Sequence, residues 1–183
     1  MAKRQTLSAW HFAVILGGVL CGASVSAQAA SPDGLACAGD EPEYSLDQQI
    51  AGCSALLAQE PNDPTSLYNR GLAYKHKGQI DLALADLDRS IALKPDQADA
   101  YDVRGNIYDD RGQHDRAIED YNRAIALKPD DADAFNNRGV ANYEKGNLDK
   151  AIADYRHALQ LDPKVKNAAS NLKTALDAKA KRH

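Results

Sequence analysis

Arg70, Arg104 and Arg138 stand 34 residues apart, and each is followed by glycine. A row of guanidiniums at a fixed interval has two chemical uses. It can grip an anionic partner, or each cation can pair bidentately with a carboxylate of the fold. A second series, Asp86, Asp120 and Asp154, repeats in phase with the first. Pairing of each arginine with an aspartate of its own or an adjacent repeat is the favoured use. An anion-binding row is the alternative.

Other chemistry is sparse. Beyond the first 30 residues the histidines are His76, His114, His157 and His183. None is paired at a metal-ligand spacing, and none has a cysteine close by. The chain carries no phosphate loop, no nucleophile elbow and no G-x-G-x-x-G. The sequence therefore points to no catalytic residue, no metal and no cofactor.

The cysteines say more, once the start of the chain is read. Lys3 and Arg4 are followed by the apolar run "AVILGGVLCG" at 13–22 and by "AQA" at 27–29. This is the layout of a secretory signal peptide, here 1–29, with cleavage after Ala29, or else after Ala27 or Ala30; the alternative is an uncleaved anchor. The run is too short to cross a bilayer comfortably, so no stable membrane insertion is expected after cleavage. The expected location is periplasmic or secreted. Cleavage removes Cys21 and takes the formal charge from −4 to −6. That charge gives no general pull toward nucleic acid. Cys37 and Cys53 remain, and an exported chain with an even number of cysteines favours a disulfide. Closing that loop contributes on the order of 3 kcal/mol. The alternative is two separate thiols, Cys53 being a small core residue.

The arginines belong to a longer pattern. "TSLYNRGLAYKHKGQIDLALADLDRSIALKP" (65–95) lies over "DAYDVRGNIYDDRGQHDRAIEDYNRAIALKP" (99–129). Both lie over "DAFNNRGVANYEKGNLDKAIADYRHALQLDP" (133–163). Gly71, Gly105 and Gly139 sit mid-helix, where glycine costs about 1 kcal/mol relative to alanine. Gly78, Gly112 and Gly146 end that helix as left-handed caps. Asp81, Asp115 and Asp149 start the second helix, where acids complement the dipole. Pro95, Pro129 and Pro163 stop it. This pattern resembles the tetratricopeptide repeat, a 34-residue helix–turn–helix unit. The resemblance implies an all-α, right-handed α-solenoid, with the mid-helix glycines allowing close approach of the paired helix.

The implied organisation is a segment 30–45, a half-repeat helix in 46–63, repeats at 64–97, 98–131 and 132–165, and a capping helix in 166–183. Ala169, Leu172 and Leu176 form the expected apolar stripe of the cap, with Lys173 in the place of the packing glycine. Asn142 replaces the tyrosine found at 74 and 108, which is expected to loosen the third unit locally.

In the family, first helices line the concave face. At helical spacing Asp99, Asp102, Val103, Asn106, Asp109 and Asp110 share one face. Their counterparts include Tyr68 and Asn69 in the first unit, and Asp133, Asn136, Asn137, Tyr143 and Glu144 in the third. The expected groove starts neutral to basic at Lys75 and His76 and turns acidic. It fits a protein or peptide partner with a basic or amphipathic segment, and the same residues also fit a solvated face. Acids stand where the cationic clamp of chaperone-binding members would lie, which argues against that function. The reading is a non-catalytic protein–protein interaction scaffold. The alternative is a self-associating solenoid of the cell envelope, a homo-oligomer.

Overall fold

The computed structural model describes residues 31–38 and 44–182. The expected signal peptide lies outside the described residues. These form helices joined by short turns, with no strand among the described residues. The helices are α1 (Pro32–Ala38), α2 (Leu46–Gln59), α3 (Pro64–His76), α4 (Ile80–Leu93), α5 (Ala98–Asp110), α6 (His114–Leu127), α7 (Ala132–Glu144), α8 (Leu148–Leu161) and α9 (Ala168–Ala180). Each packs on its neighbour in sequence, and α3, α5, α7 and α9 also touch in order along one side. That is an α-solenoid whose first helices share a face. Among the described residues no helix is long and apolar enough to cross a membrane.

Local chemistry sets the helix boundaries. Gly78, Gly112 and Gly146 have φ of 75°, 70° and 76°, which β-carbon-bearing residues rarely adopt. Each turns the chain at the end of a first helix. Ser45 and Gln48 cap α2 reciprocally, and Asp63 and Asp131 accept from backbone N–H groups opening α3 and α7.

The mid-helix glycines are packing sites. A β-carbon at Gly105 would lie 2.8 Å from Tyr121 Cε1, and one at Gly139 would lie 2.6 Å from Tyr155 Cε1. At Gly71 the nearest atom is Leu87 Cγ, at 3.1 Å. Each glycine thus admits a large side chain from its partner helix into van der Waals contact. Ala83, Ala117 and Ala151 are fully buried in the same joints.

The N-terminal unit carries more than the half-repeat helix expected for it. Helix α1 packs on α2 and α3, and Cys37 is bonded to Cys53. A β-carbon at Gly52 would fall 2.7 Å from Asp33 O and 2.9 Å from Ala36 Cβ. Cys37 and Cys53 lie one repeat before Gly71 and Leu87, so α1 is a shortened first helix in register with the others.

Two expectations are corrected. Ala168 and Ala175 are the buried positions of α9, with Leu172 half-buried, while Ala169 is exposed and Leu176 is 40% exposed. The helix turns Ala168 and Ala175 toward α7 and α8, where Ala134 and Ala141 turn in the unit before. Asn142 does not loosen the third unit. It is buried, and its Nδ2 donates to Asp154 Oδ2 at 3.2 Å, so an amide fills the space of the missing ring.

Candidate partner-binding groove

The seam arginines come first, because they position the first helices. Arg70 Nε and Nη2 donate to Asp86 at 2.7 and 2.9 Å. Arg104 meets Asp120 at 2.8 and 2.7 Å, and Arg138 meets Asp154 at 3.1 and 2.6 Å. All three forks are bidentate and join the two helices of one unit. The aspartates are buried. The remaining Nη1 reaches the second helix of the preceding unit: Ser54 Oγ at 3.1 Å, Asp88 Oδ1 at 2.6 Å and Asn122 Oδ1 at 2.7 Å. Each guanidinium thus ties three helices and is occupied on both sides. The hydrogen bond to Asp86 raises the pKa of Arg70, and that to Asp120 raises the pKa of Arg104.

A second ladder lies on the surface. Lys77, Arg111, Lys145 and Lys179, each just past the end of or within the last turn of a first helix, contact Asp47, Asp81, Asp115 and Asp149 of the preceding second helix. The Arg111–Asp81 pair spans 2.6 Å. These acids therefore serve the joint between units as well as the helix dipole.

The face shared by the first helices is centred on Asp102, which is half-buried. Asn106 Nδ2 donates to its Oδ2 at 3.0 Å, and Asn137 Nδ2 of the next unit donates to its Oδ1 at 3.3 Å. Burial raises the Asp102 pKa, and the two amide hydrogen bonds oppose that rise. Nearby Asp131 pushes it further up, while Lys75 pulls it down. No salt bridge engages Asp102 among the described residues. Tyr68 lies beside it. Burial first, then the charges of Asp99 and Asp102, raise its pKa.

Tyr121 is a buried core residue of the second helix, yet it reaches this face. Passing the gap at Gly105, its hydroxyl donates to Asn106 Oδ1 at 2.8 Å. That bond turns the Asn106 amide so that its NH2 group faces Asp102. Burial raises the Tyr121 pKa well above its ordinary value, and Asp109 and Asp102 add to the rise. The mid-helix glycine paired with a tyrosine in units two and three, against leucine in unit one, is the signal that could have found it.

The other expected groove residues divide into open and covered. Asp99, Asp110, Asp133 and Glu144 are exposed. Asp109 is half-buried, with His114 Nδ1 2.6 Å away. Asn69 Nδ2 lies 4.0 Å from Cys37 Sγ, under the N-terminal helix. Asn136 is buried and accepts from Asn171 of α9 at 3.1 Å. Tyr143 packs against the cluster of Ala151, Ile152, Tyr155 and Ala175. Val103 is buried with Ala83 and Leu87, in the core instead of on the groove. The open face is thus narrower than the helical spacing implies, and acidic: Tyr68, Asp99, Asp102, Asn106, Asp110, Asp133, Asn137 and Glu144.

Models of the TPR repeat match residues 105–146, and models of the tetratricopeptide repeat match 132–165 and 43–107. The chain belongs to the tetratricopeptide repeat family. Among solved structures, this tetratricopeptide repeat chain is similar to MamA. One MamA crystal structure is 27% identical with a TM-score of 0.69, over 74% of this chain and 79% of that one. A second is 26% identical with a TM-score of 0.71, over 85% and 82%. The first TPR of Spaghetti (RPAP3), bound to the HSP90 peptide SRMEEVD, is 26% identical with a TM-score of 0.62. That match covers 64% of this chain and 93% of the RPAP3 domain. No curated protein matches the chain. The tetratricopeptide fold of this chain is that of a protein-interaction scaffold, a class that is generally non-catalytic.

Proposed function

We propose that the chain holds a basic or amphipathic segment of a partner protein against the face formed by α3, α5 and α7. The observation that carries this reading is Asp102. It is a half-buried carboxylate whose bonded partners are two neutral amides, on a face flanked by exposed Asp99 and Asp110. A lysine or arginine of a partner supplies the missing counter-charge, and burial strengthens that pairing over a surface ion pair. Tyr68 offers a ring for the aliphatic stem of the same side chain. Asn106 and Asn137 are placed to meet an extended backbone. The RPAP3 domain is seen with an acidic peptide. The acids on this face favour the opposite charge.

The chain is exported and works in the periplasm or outside the cell, in an oxidising compartment that suits its disulfide. Amino-terminal sequencing of the envelope fraction tests export, and an uncleaved start at Met1 overturns it. Fluorescence anisotropy tests the groove, with one basic and one acidic labelled peptide of equal length. The basic peptide binds, weakens with salt, and loses affinity when Asp102 and Asp110 are changed to asparagine. Equal binding of both peptides, or indifference to those changes, moves the site elsewhere.

A further inference from the structure

The charge of this chain is divided between its ends. The described residues of the first unit, 31–38 and 44–63, carry four acids and no lysine or arginine, a net of −4. Residues 164–182 carry six cations and one acid, a net of +5. Among the described residues helix α1 packs on α2 and α3, and α9 packs on α7 and α8, so α1 and α9 lie at opposite ends of the stack. Lys77 engages Asp47 and Asp149 engages Lys179, and neither neighbour reverses the sign of its end.

Each end also presents a face that is filled inside the stack. On α7, Phe135, Gly139 and Asn142 meet the second helix of their unit, at His157, Tyr155 and Asp154. One repeat later these positions are Ala169, Lys173 and Leu176. No second helix follows α9 among the described residues, and Ala169, Lys173 and Leu176 are exposed. On α5, Ala100 and Val103 pack on the second helix of the preceding unit. Two repeats earlier these positions are Pro32 and Leu35, both exposed, with Leu35 at 38%.

We infer that a second copy of this chain covers these faces head to tail: the α1 face with Pro32, Asp33 and Leu35 docks on the α9 face with Ala169, Lys173 and Leu176. Charge selects the geometry. A tail-to-tail dimer sets +5 against +5 and a head-to-head dimer sets −4 against −4, and like-charge juxtaposition is costly. A head-to-tail contact sets acid on base and leucine on leucine. It is heterologous, so each copy keeps one free head and one free tail, and the assembly grows as a chain or closes as a ring. The surfaces are separate from the Asp102 groove, so groove binding and assembly fail independently.

Sedimentation velocity of the purified chain, over a concentration series at low and high salt, tests the inference. Average mass rises with concentration at low salt and falls toward the monomer at high salt, because exposed charges are screened. Lys173→Glu and Asp33→Lys each weaken association about tenfold or more, with helical content unchanged, since both positions are exposed. Mixing the two variants restores it, because each supplies the complementary end. Asp102→Asn leaves it unaltered. A monomer at every low-salt concentration overturns the inference, and so does a dimer indifferent to both charge reversals.

Discussion

Cys37 and Cys53 occupy, one repeat earlier, the positions of Gly71 and Leu87. In later units this pair is a glycine and the large side chain it admits. In the first unit the contact is covalent. The neighbouring seam pair is also replaced: Ala36 and Gly52 stand where Arg70 and Asp86 form their ion pair. The disulfide thus holds together a unit that lacks the electrostatic seam and has only a seven-residue first helix. Reduction, or Cys53→Ser, is expected to lower stability by about 3 kcal/mol. Hydrogen exchange checks its location: protection falls first in α1 and α2 and is kept in α5 to α8.

Arg104→Lys tests the seam. Lysine keeps the charge and loses the fork that meets Asp120 and Asp88 together. Asp120 is buried and Arg104 largely so, which sets the cost above the ~0–1 kcal/mol of a surface pair and near the ~3–5 kcal/mol of a broken buried pair for Arg104→Ala. Lysine falls between. Chemical denaturation of the three proteins gives the order wild type, lysine, alanine.

The glycine distances rank three substitutions. Alanine gains about 1 kcal/mol of helix propensity at each position. At Gly139 and Gly105 the new carbon meets a tyrosine ring closer than 3 Å, and overpacking costs about 1–3 kcal/mol. At Gly71 the contacts are looser, 3.1 Å to Leu87 Cγ and 3.3 Å to the Ala83 carbonyl oxygen. Thermal melts therefore place Gly71→Ala near wild type and Gly105→Ala and Gly139→Ala below it. Gly105→Leu falls furthest.

Asp102→Asn separates binding from stability. The raised pKa means that the folded state holds the Asp102 proton more tightly than the unfolded chain does. Its charge therefore opposes folding above the folded pKa, and this opposition fades as pH falls through that value. The variant keeps or raises the melting temperature at neutral pH while binding a basic peptide more weakly. For the wild type, peptide binding declines on acidification at a higher pH than an ordinary aspartate would give. Anisotropy across a pH series reads both effects.

The repeat register was legible because glycines, prolines and the arginine–aspartate phase recur without a gap. Helix boundaries followed, since each depends on local chemistry. The groove was less legible. Spacing along one helix says which residues share a stripe, and it does not say which neighbour covers them. Asn69 lies under α1, Asn136 meets α9 and Asp109 meets His114. Tyr121 was hidden for the opposite reason: it belongs to a second helix, and its hydroxyl emerges on the face of the first only because Gly105 leaves a gap.

The third hydrogen bond of each seam arginine has a consequence for how the chain comes apart. Stacks of repeats with weak joints fray unit by unit from their ends. Here, removing a unit from the N-terminal side strips Ser54, Asp88 or Asn122 from the arginine of the next and leaves a guanidinium only partly satisfied. Fraying from the N-terminal end is therefore penalised at each joint, while the last unit leaves without orphaning an arginine of the units before it.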